Sequence, residues 1–416
     1  METTQKIPEL LAPAGNLEKL ITAVHYGADA VYLGLEKYSL RARAGNFSRD
    51  DLLTGLAHAH AHGVKVYVTV NIFAHNQDLA GLEEFLIFLE NAGVDGLIIA
   101  DPGIFHVART TVPGLPIHLS TQANVTNYQS ARFWREQGAS RINLARELSL
   151  AEIRAIRERT DLELEIFVHG ALCISYSGRC MLSSYFTGRD ANQGDCAHPC
   201  RYSYRVVEEK RPGQYFPVEE DERGTYIFNS KDLCLLARLP ELVAAGADSI
   251  KIEGRMKTVA YVGSVVRVYR AALDWIKEQL FSGRSLETLT LPESFSCEIE
   301  KIGTRGRTEN FFDGHPSNET MLYDTIRLRQ GYAPAGIIRQ TEPLVIAVRN
   351  PIECGDTLEY LGSGITPQIC TVAAIENMDR QPINRANPGT RVILRTEPPI
   401  AGASVHSLLR KHMEGL

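Results

Sequence analysis

Residues 62–70 are His62-Gly63-Val64-Lys65-Val66-Tyr67-Val68-Thr69-Val70, and this short segment indicates how the chain folds. A glycine ends a helix well because it adopts the left-handed conformation without a steric penalty. The run that follows Gly63 is too short and too rich in β-branched residues to form a second helix. The segment therefore predicts a helix, a glycine turn and a buried strand.

The same unit recurs along the first 255 residues as an amphipathic helical stretch, a glycine and a short apolar strand. The glycines of these units are Gly27, Gly63, Gly93, Gly138 and Gly246. Three further apolar runs, at residues 9–12, 117–120 and 164–168, bring the predicted strands to eight. Alternating strands and helices predict a parallel sheet, and eight such strands predict an α/β fold of the closed (β/α)8 TIM type. An open doubly wound sheet is the alternative, but no Gly-x-Gly-x-x-Gly follows the first strand.

Polar residues follow the predicted strands where each one ends. In a barrel of this type the chemistry lies at these ends. The candidates are Asn71, Gln122, Asn124, Arg146, His169, Glu253 and Arg255. Any one of them is more often a helix cap or a turn former than a catalyst. Their shared position predicts a site at the end of the barrel where the carboxyl ends of the strands meet, which we call the barrel mouth.

The loop after the seventh strand is unusually long and covers about residues 170–229. Long ordered insertions are usually functional. This one contains Cys173, Cys180, Cys196 and Cys200, and Cys234 follows it at the predicted start of the last barrel helix. We therefore predict that the five cysteines converge at the barrel mouth.

The sequence pattern changes near residue 285. A long predicted helix at residues 261–279 ends there, and short β-like runs at 343–348, 356–361 and 391–394 follow between Gly and Pro turns. We predict a barrel domain at residues 1–284 and a β-rich domain, built as a small β-barrel, at residues 285–416. Small β-barrels often hold RNA, but they also serve as spacers.

The composition is that of an ordinary folded chain of 416 residues, with 44% hydrophobic and 23% charged residues. Its formal net charge of -6 argues against a protein that coats nucleic acid, although it allows local basic surface. No basic segment followed by an apolar run begins the chain, and no stretch reaches the about 18 apolar residues of a membrane helix. We expect a cytoplasmic protein without membrane segments.

The cysteine spacing indicates a metal site more than disulfides, because the chain has no secretion signal. The order is Cys173-x6-Cys180-x15-Cys196-x3-Cys200-x33-Cys234. Only the pair with three intervening residues has the spacing of a zinc knuckle, whereas iron-sulfur ligands tolerate wider gaps. Zinc and an iron-sulfur cluster both remain open on spacing alone. Ser203 stands where a Cys-x3-Cys-x2-Cys motif needs its third cysteine, which disfavours radical chemistry on S-adenosylmethionine.

Two segments resemble the signature of the collagenase-like peptidase family of unassigned catalytic type. They are Glu165-Ile166-Phe167-Val168-His169-Gly170-Ala171-Leu172-Cys173 and Gly178-Arg179-Cys180-Met181-Leu182-Ser183. The resemblance extends to residues 11–15, 195–201 and 251–255 and to the C-terminal segment, so it covers nearly the whole chain.

The resemblance implies an enzyme that acts on RNA. Several family members are oxygen-independent hydroxylases with a 4Fe-4S cluster, and they modify RNA or ubiquinone precursors. The single chain with a C-terminal β domain resembles most the members that convert the wobble uridine of tRNA to 5-hydroxyuridine, with prephenate as oxygen donor. The family motifs imply Cys173, Cys180 and Cys196 as ligands, with Cys200 or Cys234 as the fourth and Cys200 favoured.

A hydroxylase of this kind needs a pocket for a dicarboxylate and an unstacked base. Arginine forks suit carboxylates and phosphates, and an aromatic ring can stack on a base. We predict substrate contacts from Arg41, Arg43, Asn71, Arg146, Arg179 and Tyr176. The predicted catalytic or orienting groups are His169, Gln122, Asn124, Glu253 and Arg255. Each arginine has the alternative of pairing with a local acid, as Arg255 with Glu253.

Two other functions compete with hydroxylation. A peptidase fits the family label, but the chain has neither His-Glu-x-x-His nor Gly-x-Ser-x-Gly. Cys173 with His169 resembles a Cys-His pair, yet a cysteine among clustered cysteines is better explained as a metal ligand. A non-catalytic RNA-binding factor would not need thiols at the barrel mouth.

Overall fold

The computed structural model describes most of the chain. The described residues are 6–40, 46–172, 182–189, 196–197, 199, 205–207, 215–217, 229–303, 306–314, 321–322 and 331–413. Within these ranges no helix has both the length and the apolar character that crossing a membrane requires.

Eight parallel strands form a closed ring in the N-terminal part. The strands up to residue 252 are β1 (Glu9–Pro13), β2 (Ala30–Leu33), β3 (Lys65–Val70), β4 (Gly96–Ile99), β5 (Ile117–Leu119), β6 (Arg141–Asn143), β7 (Glu163–Gly170), β8 (Arg205–Val207), β9 (Tyr215–Pro217), β10 (Asn229–Ser230), β11 (Asp232–Cys234) and β12 (Ser249–Ile252). Strands β1 to β7 pair in sequence order, and β12 pairs with both β7 and β1. The predicted (β/α)8 barrel is confirmed, with all eight predicted strands in the ring.

Helices alternate with the strands of this ring and continue after its last strand. They are α1 (Leu17–His25), α2 (Arg49–Ala61), α3 (Leu82–Ala92), α4 (Pro102–Thr111), α5 (Tyr128–Gln137), α6 (Leu150–Arg157), α7 (Leu182–Thr187), α8 (Leu239–Ala244), α9 (Val259–Phe281) and α10 (Glu293–Glu300). Local sequence sets their ends. Ser48 with Asp51 and Ser149 with Glu152 form capping boxes at the starts of α2 and α6. Gly138 ends α5 with a φ of 99°, as its place before a strand predicted.

A layer of charged side chains fills the barrel interior near the amino-terminal ends of its strands. Arg141 forms ion pairs with Glu9 at 2.5 Å and with Glu165 at 3.5 Å. Lys251 donates to the same Glu165 carboxylate at 2.7 Å. All but Glu9 are almost fully buried, so their pairing offsets the desolvation of each charge. This layer closes one end of the barrel and leaves the other end for a site.

Strand β11 departs from the sequence prediction, which placed Cys234 at the start of a helix. Asp232–Cys234 instead pairs antiparallel with the last residues of β7, and Cys234 lies opposite His169. Strand β7 has eight residues. Its end therefore extends past its barrel neighbours and offers free backbone groups, which β11 satisfies.

The C-terminal part is a second, smaller barrel. Its strands and those preceding it are β13 (Arg307–Thr308), β14 (Met321–Leu322), β15 (Tyr332–Gln340), β16 (Val345–Val348), β17 (Ile352–Glu353), β18 (Thr357–Leu361), β19 (Gln368–Glu376), β20 (Pro382–Ile383), β21 (Arg385–Ala386), β22 (Arg391–Glu397) and β23 (Leu408–His412). Six antiparallel strands close in the order β18-β23-β15-β16-β22-β19, with β19 paired back to β18. The predicted small β-barrel is confirmed.

The two barrels meet along α1, α9 and α10. Glu298 of α10 accepts hydrogen bonds from Arg267 of α9 at 3.0 Å and from Arg410 of β23 at 2.8 Å. Tyr26, next to the end of α1, donates to the backbone oxygen of Leu361 at 2.8 Å. The predicted domain boundary near residue 285 falls between α9 and α10 and stays a prediction.

Candidate functional site at the barrel mouth

Two of the predicted residues form a direct amide pair at the barrel mouth. Asn71 Nδ2 donates to Gln122 Oε1 at 2.8 Å, and Gln122 Nε2 donates to the backbone oxygen of Asn71 at 3.2 Å. Ser120 Oγ also contacts Gln122 Oε1 at 3.1 Å. Both amides are buried. Because they satisfy each other, their first role is to fix the loops after β3 and β5.

Arg255 lies in the same network. Its side chain is buried, and its Nη1 donates to Ser39 Oγ at 2.8 Å and Thr69 Oγ1 at 3.1 Å. The guanidinium also donates to the backbone oxygen of Leu40, and the Leu40 amide donates to Asn71 Oδ1 at 3.1 Å. Arg255 thus holds the loop after β2 against the mouth through these hydroxyls and this carbonyl. Glu253 is not among the partners that the structure describes.

A glycine provides the space for this arrangement. A Cβ at Gly34 would lie 2.1 Å from Ser39 Oγ and 2.5 Å from Arg255 Nη1. Real Cβ atoms do not come this close to other heavy atoms. Gly34, at the end of β2, is therefore required for the close approach of Arg255.

His169 lies on the opposite side of the mouth and is 1% exposed. Its Nδ1 is 3.3 Å from the Tyr269 hydroxyl, which itself donates to the Val168 backbone oxygen at 2.9 Å. Nδ1 is therefore the protonated nitrogen, and Nε2 carries a lone pair. Burial, with Arg307 nearby, lowers the pKa of His169 to about 3, so the ring is neutral at physiological pH.

Two of the predicted site residues carry a buried acceptor atom that has no hydrogen-bond partner among the described residues. The two atoms are Nε2 of His169 and Oδ1 of Asn124. Asn124 follows β5 and has a φ of 55°, in the left-handed region that asparagine adopts more readily than most residues. Unsatisfied buried acceptors are rare in proteins and mark places where a ligand or water completes the bonding.

Glu253 and Arg146 both contact Ala171, the second residue of the cysteine-rich loop. Glu253 Oε2 accepts from the Ala171 amide at 3.4 Å, and Arg146 Nη1 donates to the Ala171 oxygen at 3.0 Å. The two side chains thus pin the start of this loop from both sides. The catalytic role predicted for Glu253 and the substrate contact predicted for Arg146 stay predictions.

Two of the five predicted metal ligands lie among the described residues. Cys196 and Cys234 are both half-buried. Cys234 Sγ is 4.0 Å from the Tyr269 hydroxyl, and burial raises the pKa of this thiol. Within the described ranges no three His, Cys, Asp or Glu side chains form a group able to hold a metal ion. Cys173, Cys180 and Cys200 lie outside these ranges, as do Arg41, Arg43, Tyr176 and Arg179.

The position of Cys234 fits a cluster ligand. Its strand pairs with β7 directly opposite His169, four residues before Cys173. Strand β11 thus lies beside the end of β7, from which the chain continues into the cysteine-rich loop. The thiols present are of the chemical type that an iron-sulfur cluster needs.

Sequence reasoning missed Tyr269, Ser39 and Thr69. Tyr269 lies on α9 and reaches His169 across 100 positions in sequence. Its place in an apolar helical pattern resembles that of any core residue. Ser39 and Thr69 carry no signal in a single sequence, because their role depends on where Arg255 points.

The fold and the mouth together define a class of protein: a (β/α)8 barrel with polar groups gathered at the carboxyl ends of its strands, followed by a small antiparallel barrel. The family model described as Peptidase family U32 matches residues 15–322. The model of the Peptidase family U32 C-terminal domain matches residues 330–410. The chain belongs to Peptidase family U32, and the resemblance seen in the motifs is confirmed.

Three relatives show what the chain is similar to. It is 38% identical over 392 residues to tRNA hydroxylation protein P1 of Bacillus subtilis, covering 93% of this chain and 91% of that one. It is 43% identical over 398 residues to an uncharacterized protease of Methanocaldococcus jannaschii, covering 92% and 94% of the two chains. It is 34% identical over 354 residues to the 23S rRNA 5-hydroxycytidine synthase of Escherichia coli, covering 85% of this chain and 52% of that one.

Proposed function

We propose that this chain is an RNA-modifying enzyme that hydroxylates the wobble uridine of tRNA to 5-hydroxyuridine. The observation that carries the proposal is the 38% identity to a tRNA hydroxylation protein over 93% of the chain, which spans both barrels. The similarity to an rRNA 5-hydroxycytidine synthase supports the same chemistry at C5 of a pyrimidine.

The oxygen donor in this proposal is prephenate or a similar small dicarboxylate. The C5–H bond of the uracil becomes C5–OH, so the base loses two electrons. The donor takes up these electrons as it gives up one oxygen atom. Arg41, Arg43, Arg146 and Arg179 are the proposed carboxylate and phosphate ligands, since arginine binds such groups through paired hydrogen bonds.

We propose a 4Fe-4S cluster as the cofactor, with zinc as the alternative. Cys173, Cys180 and Cys196 are the proposed ligands. The position of Cys234 opposite His169 favours it over Cys200 as the fourth. Held by these four cysteines, a cluster of this type would supply electron transfer.

The residues of the mouth position the base in this proposal. Nε2 of His169 and Oδ1 of Asn124 are buried acceptors without a described partner, and either one can accept the single N–H of the uracil. A neutral His169 serves as an acceptor and not as a general acid, because its pKa is about 3. Asn71, Gln122 and Arg255 hold the loops around the entering nucleotide.

The test is nucleoside analysis of tRNA from cells that lack this gene. Expression of the wild-type chain should restore 5-hydroxyuridine, and the Cys180→Ala variant should not. The control is Cys354→Ala, because Cys354 is exposed on the C-terminal barrel. Wild-type expression without any 5-hydroxyuridine or related hydroxylated pyrimidine would contradict the proposal.

Proteolysis is the second candidate, because one relative carries the name of an uncharacterized protease. A Cys-His mechanism needs a histidine that accepts a proton and a third group that orients it, usually a carboxylate or an amide. His169 has a pKa of about 3 and contacts a tyrosine hydroxyl through Nδ1. These features make it a weak base. Gelatin hydrolysis by pure wild-type protein, lost in Cys173→Ala, would favour the peptidase.

A further inference from the structure

A second recess lies outside the barrel mouth, between the first turns of α1 and the outer surface of the C-terminal barrel. It is a groove of about 500 Å³. One wall is formed by Leu17, Glu18 and Ile21 of α1, and the other by Arg339, Arg349 and Arg391 of the C-terminal barrel, with His406 at the side. None of the sites described above uses these residues.

The groove is basic in a chain whose formal charge is -6. Arg339 and Arg349 both donate to Glu18 Oε1, the latter at 2.8 Å. Arg391 is exposed, and no acidic side chain among the described residues pairs with it. Burial and the nearby Arg339 lower the pKa of His406, so this ring is neutral. Three guanidinium groups therefore face one carboxylate.

The shared carboxylate positions the arginines for a ligand. Glu18 occupies only part of the donor capacity of Arg339 and Arg349, because each guanidinium carries five N–H groups. The side chain of Arg349 keeps 41% of its surface exposed. The remaining donors are held in a fixed orientation, which lowers the entropic cost of ordering these side chains when a ligand binds.

The groove begins beside the barrel mouth. Helix α1 follows β1 directly, so its first turn lies at the carboxyl ends of the barrel strands. Lys19, next to Glu18, donates through Nζ to the backbone oxygen of Arg255 at 2.9 Å. A polymeric ligand with one of its units in the barrel mouth can therefore extend into this groove.

We propose that this groove binds the sugar-phosphate backbone of the RNA substrate next to the nucleotide that enters the mouth. The inference rests on the proposed function, because it takes RNA as the substrate. Arginine forks bind phosphate in bidentate fashion. The three arginines line one groove, so they can contact neighbouring phosphates of one short segment of the strand.

The experiment measures binding of the full-length protein to an unmodified tRNA transcript at several salt concentrations. The test variant is Arg349→Ala with Arg391→Ala. The matched control is Arg395→Ala, because Arg395 lies exposed on the same strand as Arg391 but does not line the groove. We expect the double variant to lose about tenfold in affinity and to lower the slope of log K against log salt by about 1.4 to 1.8. The control should match the wild type, and thermal unfolding should show all variants folded.

The outcomes separate this inference from the proposed function. Wild-type protein that neither binds nor hydroxylates the transcript would refute the function itself. If the double variant hydroxylates tRNA normally and has an unchanged salt slope, the groove does not bind the RNA backbone, and the proposed function is unaffected. An equal loss in Arg395→Ala would also overturn it, because the effect would then reflect overall charge. If the double variant keeps its affinity for tRNA but no longer binds polyglutamate, the groove is a binding site for an acidic protein instead.

Discussion

Arg255 shows at the scale of one residue how the mouth is held together. The sequence placed it at a strand end beside Glu253, and a local ion pair was one interpretation. In the structure its guanidinium donates instead to Ser39, Thr69 and Leu40. A planar guanidinium spreads five donors over three nitrogens and bridges these three partners, whereas lysine offers three donors on one nitrogen. Arg255 therefore holds the loop after β2 in place through hydrogen bonds.

The first prediction concerns the space that Arg255 needs. Gly34→Ala places a methyl group 2.1 Å from Ser39 Oγ, so it should lower the free energy of unfolding by about 1 to 3 kcal/mol through overpacking. Urea unfolding of both proteins measures this difference. Gly331→Ala is the control, because nothing lies within 4 Å of the added carbon. Equal midpoints for the Gly34 variant and the wild type would show that the loop adapts.

At the scale of elements, the sequence predicted the barrel strands well and β11 not at all. The helix, glycine and strand pattern is local, so eight strands were located within about two residues of their observed bounds. Strand β11 forms only because the end of β7 offers backbone partners some 60 positions earlier. The same limit applies to Tyr269, whose contact with His169 joins two distant elements. Long-range pairing leaves no periodic signal in one sequence.

The second prediction follows from the place of β11 and tests the fourth cluster ligand. Cys234→Ala should reduce the iron and sulfide bound by protein purified without oxygen, because Cys234 pairs with His169, next to the start of the cysteine-rich loop. Cys200→Ala should retain the wild-type iron content. Iron analysis and the visible absorption spectrum measure both. If Cys200→Ala loses iron and Cys234→Ala retains it, Cys200 is the fourth cluster ligand instead.

The whole molecule depends on a buried ion-pair network between the two barrels. Glu298 accepts from Arg267 and Arg410, and all three side chains are buried. Removing one partner of such a network leaves an uncompensated buried charge. The network therefore fixes the C-terminal barrel against α9, and this keeps the basic groove in line with the mouth.

The third prediction tests this network. Glu298→Gln should cost about 3 kcal/mol of stability, because the buried Arg267 loses its carboxylate partner and Arg410 keeps only Glu359. Glu300→Gln is the control, since Glu300 lies exposed on the same helix. Thermal unfolding compares the two variants. Similar unfolding temperatures for both would mean that the network contributes little.

The fourth prediction concerns pH and the same interface. His25 of α1 contacts Ser407 at 2.9 Å, and burial, with His406 nearby, lowers the pKa of His25 to about 4. An unfolded histidine has a pKa of about 6.5, so the unfolded chain takes up the proton first as the pH falls. Stability is therefore lost from about pH 6.5 toward pH 4. His25→Gln should reduce this loss in urea unfolding at several pH values. Parallel pH profiles for variant and wild type would exclude His25 as a cause.

The most direct test of the account is the reaction of pure protein, prepared without oxygen, with an unmodified tRNA transcript and prephenate. Mass spectrometry of the digested tRNA measures the product. The account predicts one added oxygen atom on the wobble uridine, dependent on prephenate and absent with Cys173→Ala. Unchanged tRNA from protein that carries its full iron content would contradict the assignment as a tRNA hydroxylase.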